Sequence, residues 1–416
     1  MTKEKIKLAV IGTVGVPAKY GGFETLVQHL VIHLNKRFDI TVYCSTKAYK
    51  EEEQVSNWKG AKLEYIPLKA NGIQSIPYDL ISIIKAMRKS DVLLILGVSA
   101  CLFLPFIKLF SSKKIIVNID GLEWRRPKWN WFVKRFLQLS EGIACRYADE
   151  IVTDNQILKE YVKIRYQIDG KLIEYGADHN SAVAKNQEDV NKYPFINSKY
   201  CFKVARIEPE NNLDIILEAF AKTPKETLVI VGNWDNSLYG QNLKLKYNQC
   251  ENIYLFDPIY EPKELNLLRS NAHYYVHGHS AGGTNPSLVE AMYLGLPILS
   301  FDVIYNRVTT NNQAAFFKDE KSLEELLKMI DKIPLRTIAR NLKNYADDVY
   351  VWKNISTRYG NLVAGEVERK VVPVALDTYV PFVLKEEVKK EASIPSIPPV
   401  PVNLPKVKTR KEEIKI

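Results

Sequence analysis

Short, almost wholly apolar runs alternate along this chain with longer segments whose apolar residues recur every three or four positions. A short apolar run between polar turns reads as a strand, and the longer spacing as a helix. Residues 6–11 (IKLAVI) are the first run. A helix is expected from about Thr25 to Asn35, with Leu26, Leu30, Val31 and Leu34 on one face. Further strands are expected at 39–44, 62–66, 92–96, 114–119, 150–153 and 171–175. Helices are expected at 78–89, over a basic aromatic segment near 125–135, and through 142–147. Strand and helix in regular alternation is the signature of a doubly wound parallel sheet.

Residues 179–197 are polar, with little apolar periodicity, and read as a hinge. The alternation then restarts. Strands are expected at 200–205, 227–231, 252–256, 272–276 and 297–301. Helices are expected at 213–221, 264–270, from Ser287, and at 322–330, 335–345 and 352–363. The division is 1–180 for one α/β domain and 181–345 for a second. Residues 371–405 hold seven prolines, and the end is highly charged. The tail 370–416 therefore reads as an extended or disordered linker, with a docking arm as the alternative.

With 416 residues, 46% hydrophobic and 25% charged, the chain can hold two globular domains. Cys44, Cys101, Cys145, Cys201 and Cys250 are scattered singly. That argues against a disulfide framework or a zinc site and for a reducing, cytoplasmic setting, as does the lack of a signal peptide at the start given. The 16 almost wholly apolar residues at 92–107 are short for a membrane span and include Gly97, Ser99 and Pro105. They read as a buried strand followed by a hydrophobic helix.

The net charge of +10 admits nucleic acid, anionic lipid or a phosphorylated substrate. Residues 125–135 (RRPKWNWFVKR) interleave cations with Trp129, Trp131 and Phe132. This suits the headgroup layer of an anionic membrane, and also base stacking on single strands. A helix with a packed aromatic face and solvated charges is the third reading. The membrane is the partner favoured, and nucleic acid is not expected.

Ligands of doubly wound sheets bind at the carboxyl ends of the strands. Five polar turns fall there: 12–24, 120–126, 206–212, 232–235 and 279–290. In the last, Gly282-Gly283-Thr284-Asn285-Pro286-Ser287 joins an apolar strand to a helix. Free backbone N–H groups and a helix N-terminus there favour an anion. Glu290, about one turn into that helix, can accept hydrogen bonds from sugar hydroxyls. Arg206, at a strand end, suits a diphosphate, with an ion pair to Glu208 or Glu210 as the alternative. His277 and His279 lie two apart and do not make a metal pair. His279 is the better ligand candidate and His277 reads as packed.

The loop carrying Gly12, Gly15, Gly21 and Gly22 places thirteen residues between strand and helix. It is neither a dinucleotide fingerprint nor a P-loop. It reads as a backbone cradle for a ligand, with Glu24 at the helix start, or as a turn that uses glycine for positive φ. Asp120 follows a strand and could reach a reacting centre, although Asp-Gly is also a common turn.

These residues together resemble a retaining GT-B glycosyltransferase of the family 4 type, over most of residues 6–365. The second domain carries Arg206-x-x-Pro209-Glu210, Gly232 after a strand, and Gly282-Gly-Thr-Asn-Pro-Ser-Leu-Val-Glu290-Ala-Met-x-x-Gly295-x-Pro297. Gly-Thr-x-Gly-x-Pro-x-x-Tyr-Gly-Gly-Phe-Glu-Thr at 12–25 and Asn-Ile-Asp-Gly-Leu-Glu-Trp at 118–124 are similar to the bacterial rhamnosyltransferase-like subgroup of surface polysaccharide synthesis. The resemblance implies two Rossmann-like domains facing a cleft, with a crossover helix at 346–366 completing the first.

The donor it implies is a nucleotide sugar, dTDP-L-rhamnose, as substrate, with no cofactor and no metal. Its donor site would comprise Arg206, Asn211, Gly232, His279, Gly282, Gly283, Thr284, Asn285, Ser287 and Glu290. A lipid-diphosphate-linked saccharide would be the acceptor, at the inner face of the cell membrane, on Gly15, Tyr20, Gly21, Gly22, Glu24, Glu123, Arg125 and Arg126. Asp120, Arg206 and Glu290 would carry catalysis. Three positions depart from the family pattern. Gly282 stands where the first of two glutamates is expected, Asn211 where a lysine is, and Asp120 where a histidine is. The amides of Gly283 and Thr284 are then expected to replace the lost glutamate. A GT-B sugar-nucleotide epimerase and a non-catalytic GT-B partner are the alternatives.

Overall fold

The computed structural model describes residues 4–19, 21–119, 121–126 and 129–366. Tyr20, Asp120 and the tail 370–416 lie outside the described residues, so the expectations placed on them stay with the sequence.

The apolar runs assemble into two parallel sheets with the same winding. In the eight-stranded sheet Lys7–Ile11 is central. Asp39–Ser45 and Ala61–Ile66 follow on one side, and the short Asn57–Trp58 pairs antiparallel at that edge. Val92–Leu96, Lys114–Asn118, Glu150–Thr153 and Lys171–Leu172 follow on the other. Leu8 thus lies between Ile40 and Val92, apolar on both sides. The six-stranded sheet centres on Tyr200–Val204. Thr227–Val231 and Ile253–Phe256 lie on one side, and Tyr274–His277, Ile298–Phe301 and Ala315–Phe317 on the other. In each sheet the strand order reverses beside the first strand. The loops leaving there diverge and open a crevice at the carboxyl ends.

The crossover helix Trp352–Ala364 leaves the second domain and packs Trp352, Ile355, Tyr359 and Leu362 into the core of the first. Tyr359 accepts a hydrogen bond from Asn118 at 2.6 Å. The two chain crossings between domains are bonded to each other. Ala177 N donates to Tyr350 O at 2.8 Å, and Trp352 N to Asp178 Oδ1 at 2.7 Å.

Several boundaries differ from the sequence pattern. The first helix is Gly22–Leu34, so the glycine loop is shorter than expected. The basic segment is not a helix over 125–135. A single helix, Trp131–Tyr147, begins after Asn130, whose side chain caps it by accepting from Val133 N at 3.0 Å, and it absorbs the helix expected at 142–147. The hydrophobic helix expected after the buried strand Val92–Leu96 is Leu104–Phe110. It buries Leu104 and Ile107 but leaves Phe106 65%, Leu109 67% and Phe110 78% exposed. No helix among the described residues is long and apolar enough to cross a membrane. The five cysteines are unbridged.

Candidate functional site

The second-domain crevice is built from the loops after Tyr200–Val204 and Tyr274–His277. Asn211 staples them together. Its Nδ2 donates to Arg206 O at 2.9 Å, and its Oδ1 lies 3.1 Å from His279 Nδ1. Asn212, in the left-handed region at φ 48°, donates to Gly278 O at 2.7 Å. Ser280 N donates to Glu210 O at 2.8 Å. The position where the resemblance expects a lysine is therefore a loop brace. Gly232 is required for close packing, since a Cβ there would stand 2.4 Å from Ile207 and 2.6 Å from Ala205 O.

This bracing leaves Arg206 exposed, with no hydrogen bond or ion pair from its guanidinium to any described residue. Neither Glu208 nor Glu210 pairs with it. Glu210 faces Arg126 of the first domain instead, at 3.9 Å, and Arg126 also pairs with Glu123 at 2.6 Å. Arg126 thus bridges the cleft to the donor side. His279 is buried rather than open at the loop mouth. Burial, with Arg126, Lys203 and Arg206 around it, pushes its pKa down to about 3, so the imidazole is neutral. His277 is packed as expected, with both ring nitrogens unpartnered.

Lys203 was not anticipated, although a lysine inside the apolar run YCFKVA is a visible signal. Its side chain is buried and no described residue pairs with it. Burial lowers its pKa from 10.5 to about 7. The unfolded chain therefore binds more protons between those values, and this group's contribution to stability improves as pH rises through that window. The cost of burying the charge is fully present below the folded pKa. Lys203→Met should stabilise the protein most at about pH 6 and hardly at all at about pH 10, read from denaturant midpoints.

The turn at 280–287 holds its own shape. Asn285 caps the helix Pro286–Tyr293 by accepting from Ser287 N at 3.0 Å and Ser287 Oγ at 2.8 Å. Tyr275 donates to Ser287 Oγ at 3.0 Å. Thr284 is gripped by the first domain: its N donates to Asp154 Oδ2 at 3.2 Å and its Oγ1 to Asp154 O at 2.6 Å. Asn155 Nδ2 donates to Thr284 Oγ1 at 3.4 Å. The Thr284 amide is thus not free to replace the missing glutamate. The amides of Ala281, Gly282 and Gly283 have no partner among the described residues. A side chain at 282 would meet the Tyr305 ring at 3.1 Å. That crowding is a physical reason for glycine where the resemblance expects glutamate.

Glu290 points its Oε2 at Arg269 Nη1, 2.7 Å away, and its Oε1 at His179 Nε2, 3.5 Å away. Burial alone would raise this carboxyl, but Arg269 and His179 outweigh it and hold it below the usual range. It is a carboxylate, with 15% of its side chain accessible.

On the first-domain side the glycine loop is mostly self-contained. Glu24 turns inward and accepts from Thr13 Oγ1 at 3.1 Å and Val14 N at 2.7 Å. Gly15 N donates to Thr13 Oγ1 at 3.3 Å. A Cβ at Gly21 would fall 1.9 Å from Glu24 Oε2, and one at Gly15 2.8 Å from Cys44 Sγ. Gly15, Gly21 and Glu24 therefore hold the loop's shape. Gly22 faces the cleft, where a Cβ would stand 3.4 Å from Pro286. Arg125 is exposed beside the Trp124 ring. Sequence reasoning missed Asp154, Asn155, His179, Lys203 and Arg269. Only the fold brings them to the cleft.

Two parallel α/β domains facing each other across such a cleft, with a returning helix, define the GT-B architecture. Residues 185–348 match the family described as glycosyl transferases group 1, and residues 5–178 match a domain of unknown function (DUF1972). No curated protein matches the chain significantly. Among solved structures, sucrose-phosphate synthase from Thermosynechococcus elongatus is similar at TM-score 0.74 and 16% identity, over 87% of this chain and 99% of that one. HepE from Anabaena, solved with UDP-glucose, is similar at TM-score 0.66 and 12% identity, over 86% and 100%. A UDP-N-acetylglucosamine 2-epimerase from Listeria monocytogenes, titled putative, is similar at TM-score 0.57 and 12% identity, over 87% and 96%. The second-domain match supports sugar transfer as the class of activity.

Proposed function

We propose that this chain is a retaining glycosyltransferase that moves L-rhamnose from dTDP-rhamnose to a lipid-diphosphate-linked saccharide in surface polysaccharide synthesis. The observation that carries the reading is the arrangement at the second-domain switch point. An exposed, unpaired Arg206 stands with the unpartnered amides of residues 281–283, and with Arg126 and Lys203 close enough to depress His279. Such a cluster suits a nucleoside diphosphate. HepE, with the same fold, is solved with UDP-glucose, which favours a nucleotide sugar. The rhamnose and the thymidine base rest on the resemblance of residues 12–25 and 118–124.

Arg206 and the free amides take the diphosphate, and Glu290 a hydroxyl of the deoxyribose. The acceptor hydroxyl attacks the anomeric carbon on the face of the departing diphosphate. The bond to the leaving oxygen breaks, the new glycosidic bond forms, and the diphosphate takes the hydroxyl proton, so configuration is retained. Asp120, placed by its sequence position alone, would stabilise the oxocarbenium-like centre.

Phe106, Leu109 and Phe110 on one helix and Trp131 and Phe132 on the next are exposed. These two helices pack together, and Arg125, Lys134 and Arg135 accompany them in sequence. Apolar tips among cations suit an anionic membrane surface, which would hold a lipid-linked acceptor near the cleft. Trp131→Ser with Phe110→Ser should lower partitioning onto phosphatidylglycerol vesicles about tenfold or more while leaving donor binding unchanged, as read by co-sedimentation.

The function is tested by incubating the protein with radiolabelled dTDP-rhamnose and a membrane extract. Label in the organic phase supports it. Release of an altered free sugar would indicate the epimerase, and donor binding without turnover a non-catalytic partner. Use of a UDP-sugar instead would overturn the donor assignment alone.

A further inference from the structure

The surroundings of Glu290 run to the place where the chain crosses between domains. The crossings at 176–180 and 350–352 are bonded to each other, and His179 lies in the first of them. Trp352 Nε1 stands 3.0 Å from His179 Nδ1. An indole N–H can only donate, so Nδ1 accepts and the neutral ring carries its proton on Nε2. That nitrogen lies 3.2 Å from Asn180 Nδ2, which can only donate, and 3.5 Å from Glu290 Oε1, so the carboxylate is the acceptor its proton can reach. The other Glu290 oxygen is held by Arg269 Nη1, which also donates to Asn180 Oδ1 at 3.2 Å. The Trp352 indole lies flat on His29 of the first helix, with ring centroids 4.5 Å apart and planes 4° apart. Both Glu290 oxygens are therefore oriented, one from its own domain and one from the hinge.

We propose that His179 is a positioning residue for the donor nucleoside: its Nε2–H orients the Glu290 carboxylate toward a sugar-ring hydroxyl, and the Trp352 indole fixes the imidazole for that task. The inference rests on the reading of Glu290 as the ligand of that hydroxyl. Arg269 alone fixes one oxygen. Without His179 the carboxylate can turn about that contact, and the hydroxyl loses a preset acceptor. Because His179 sits on the hinge and Trp352 on the crossover helix, recognition of the nucleoside is coupled to the relative placement of the domains.

The test compares binding of dTDP and UDP, each with its 3′-deoxy counterpart, by calorimetry on the full chain. For whichever nucleotide binds, Glu290→Gln and His179→Leu should each weaken the hydroxyl-bearing form about tenfold and leave the 3′-deoxy form unchanged. His179→Gln, whose amide can still donate to Glu290, should recover most of the loss. Trp352→Phe, which removes the indole N–H donor and also shortens the ring stacked on His29, should fall between. If Glu290→Gln discriminates the two forms and His179→Leu does not, the inference is overturned while the site reading stands. If His179→Leu weakens both forms equally, its role is structural and the inference is again overturned. If Glu290→Gln itself does not discriminate, the site reading fails and takes the inference with it. Should His179→Leu not fold, His179→Gln and Trp352→Phe decide on the same ratio.

Discussion

Arg206→Ala should reduce sugar transfer by about 10²–10³-fold while leaving the fold unchanged. The guanidinium is exposed and makes no bond to a described residue, so its removal uncovers nothing and breaks no network. Exposed positions of that kind typically change stability by less than about 0.5 kcal/mol. Its charge is needed by the diphosphate, which gains negative charge as the sugar leaves. Loss of the fork removes stabilisation that grows along the reaction, so kcat should fall more than donor affinity. Arg206→Lys should recover only part, because an ammonium cannot reproduce the bidentate geometry. Steady-state transfer assays beside a thermal melt read both halves. A melting point that falls with the activity would show that Arg206 has a structural partner, and unchanged kinetics would remove it from the site.

Glu290→Ala should do the opposite on stability. Arg269 is 2% exposed and its guanidinium meets the Glu290 carboxylate at 2.7 Å. Truncating the acid leaves a buried cation with only Asn180 beside it. Breaking a buried pair in this way typically costs about 3–5 kcal/mol. For a domain of this size that is a fall in melting temperature on the order of 10 °C. Transfer should be lost as well, since the hydroxyl acceptor is gone. The double variant Glu290→Met with Arg269→Met separates the two effects. Two apolar side chains of similar length should restore most of the stability, since a buried pair can be replaced that way, and none of the transfer. A double variant that regains transfer would show that Glu290 serves only the fold.

Most strands were legible because parallel strands buried on both faces need continuous apolar runs, and such runs stand out. Residues 227–231 and 213–221 fall where the pattern placed them. The helix Leu238–Tyr247 was not legible because its buried side is only Gly240, Leu243 and Tyr247, a stripe too thin to register. The strand Lys171–Leu172 is shorter than its apolar run because it ends at the hinge. The exposed face of Leu104–Phe110 could not be foreseen, because an apolar residue reads the same whether it is covered or bare.

At the site, residue type at a strand end was informative and side-chain direction was not. Arg206 and Glu290 stand at the crevice. Glu24 reads in sequence like a cleft carboxylate, yet its loop's own amides claim it. Thr284 reads like a ligand donor, yet Asp154, 130 positions away, holds it.

By itself the sequence determined the alternation of strands and helices, the repetition of that pattern in two halves, and the polar turns at strand ends. These are local consequences of periodicity and turn chemistry. Only the tertiary structure decided which polar groups remain unsatisfied at the cleft. Whether a carboxylate or an amide is free depends on partners remote in sequence, and those partners meet only when two sheets and a returning helix are packed against each other.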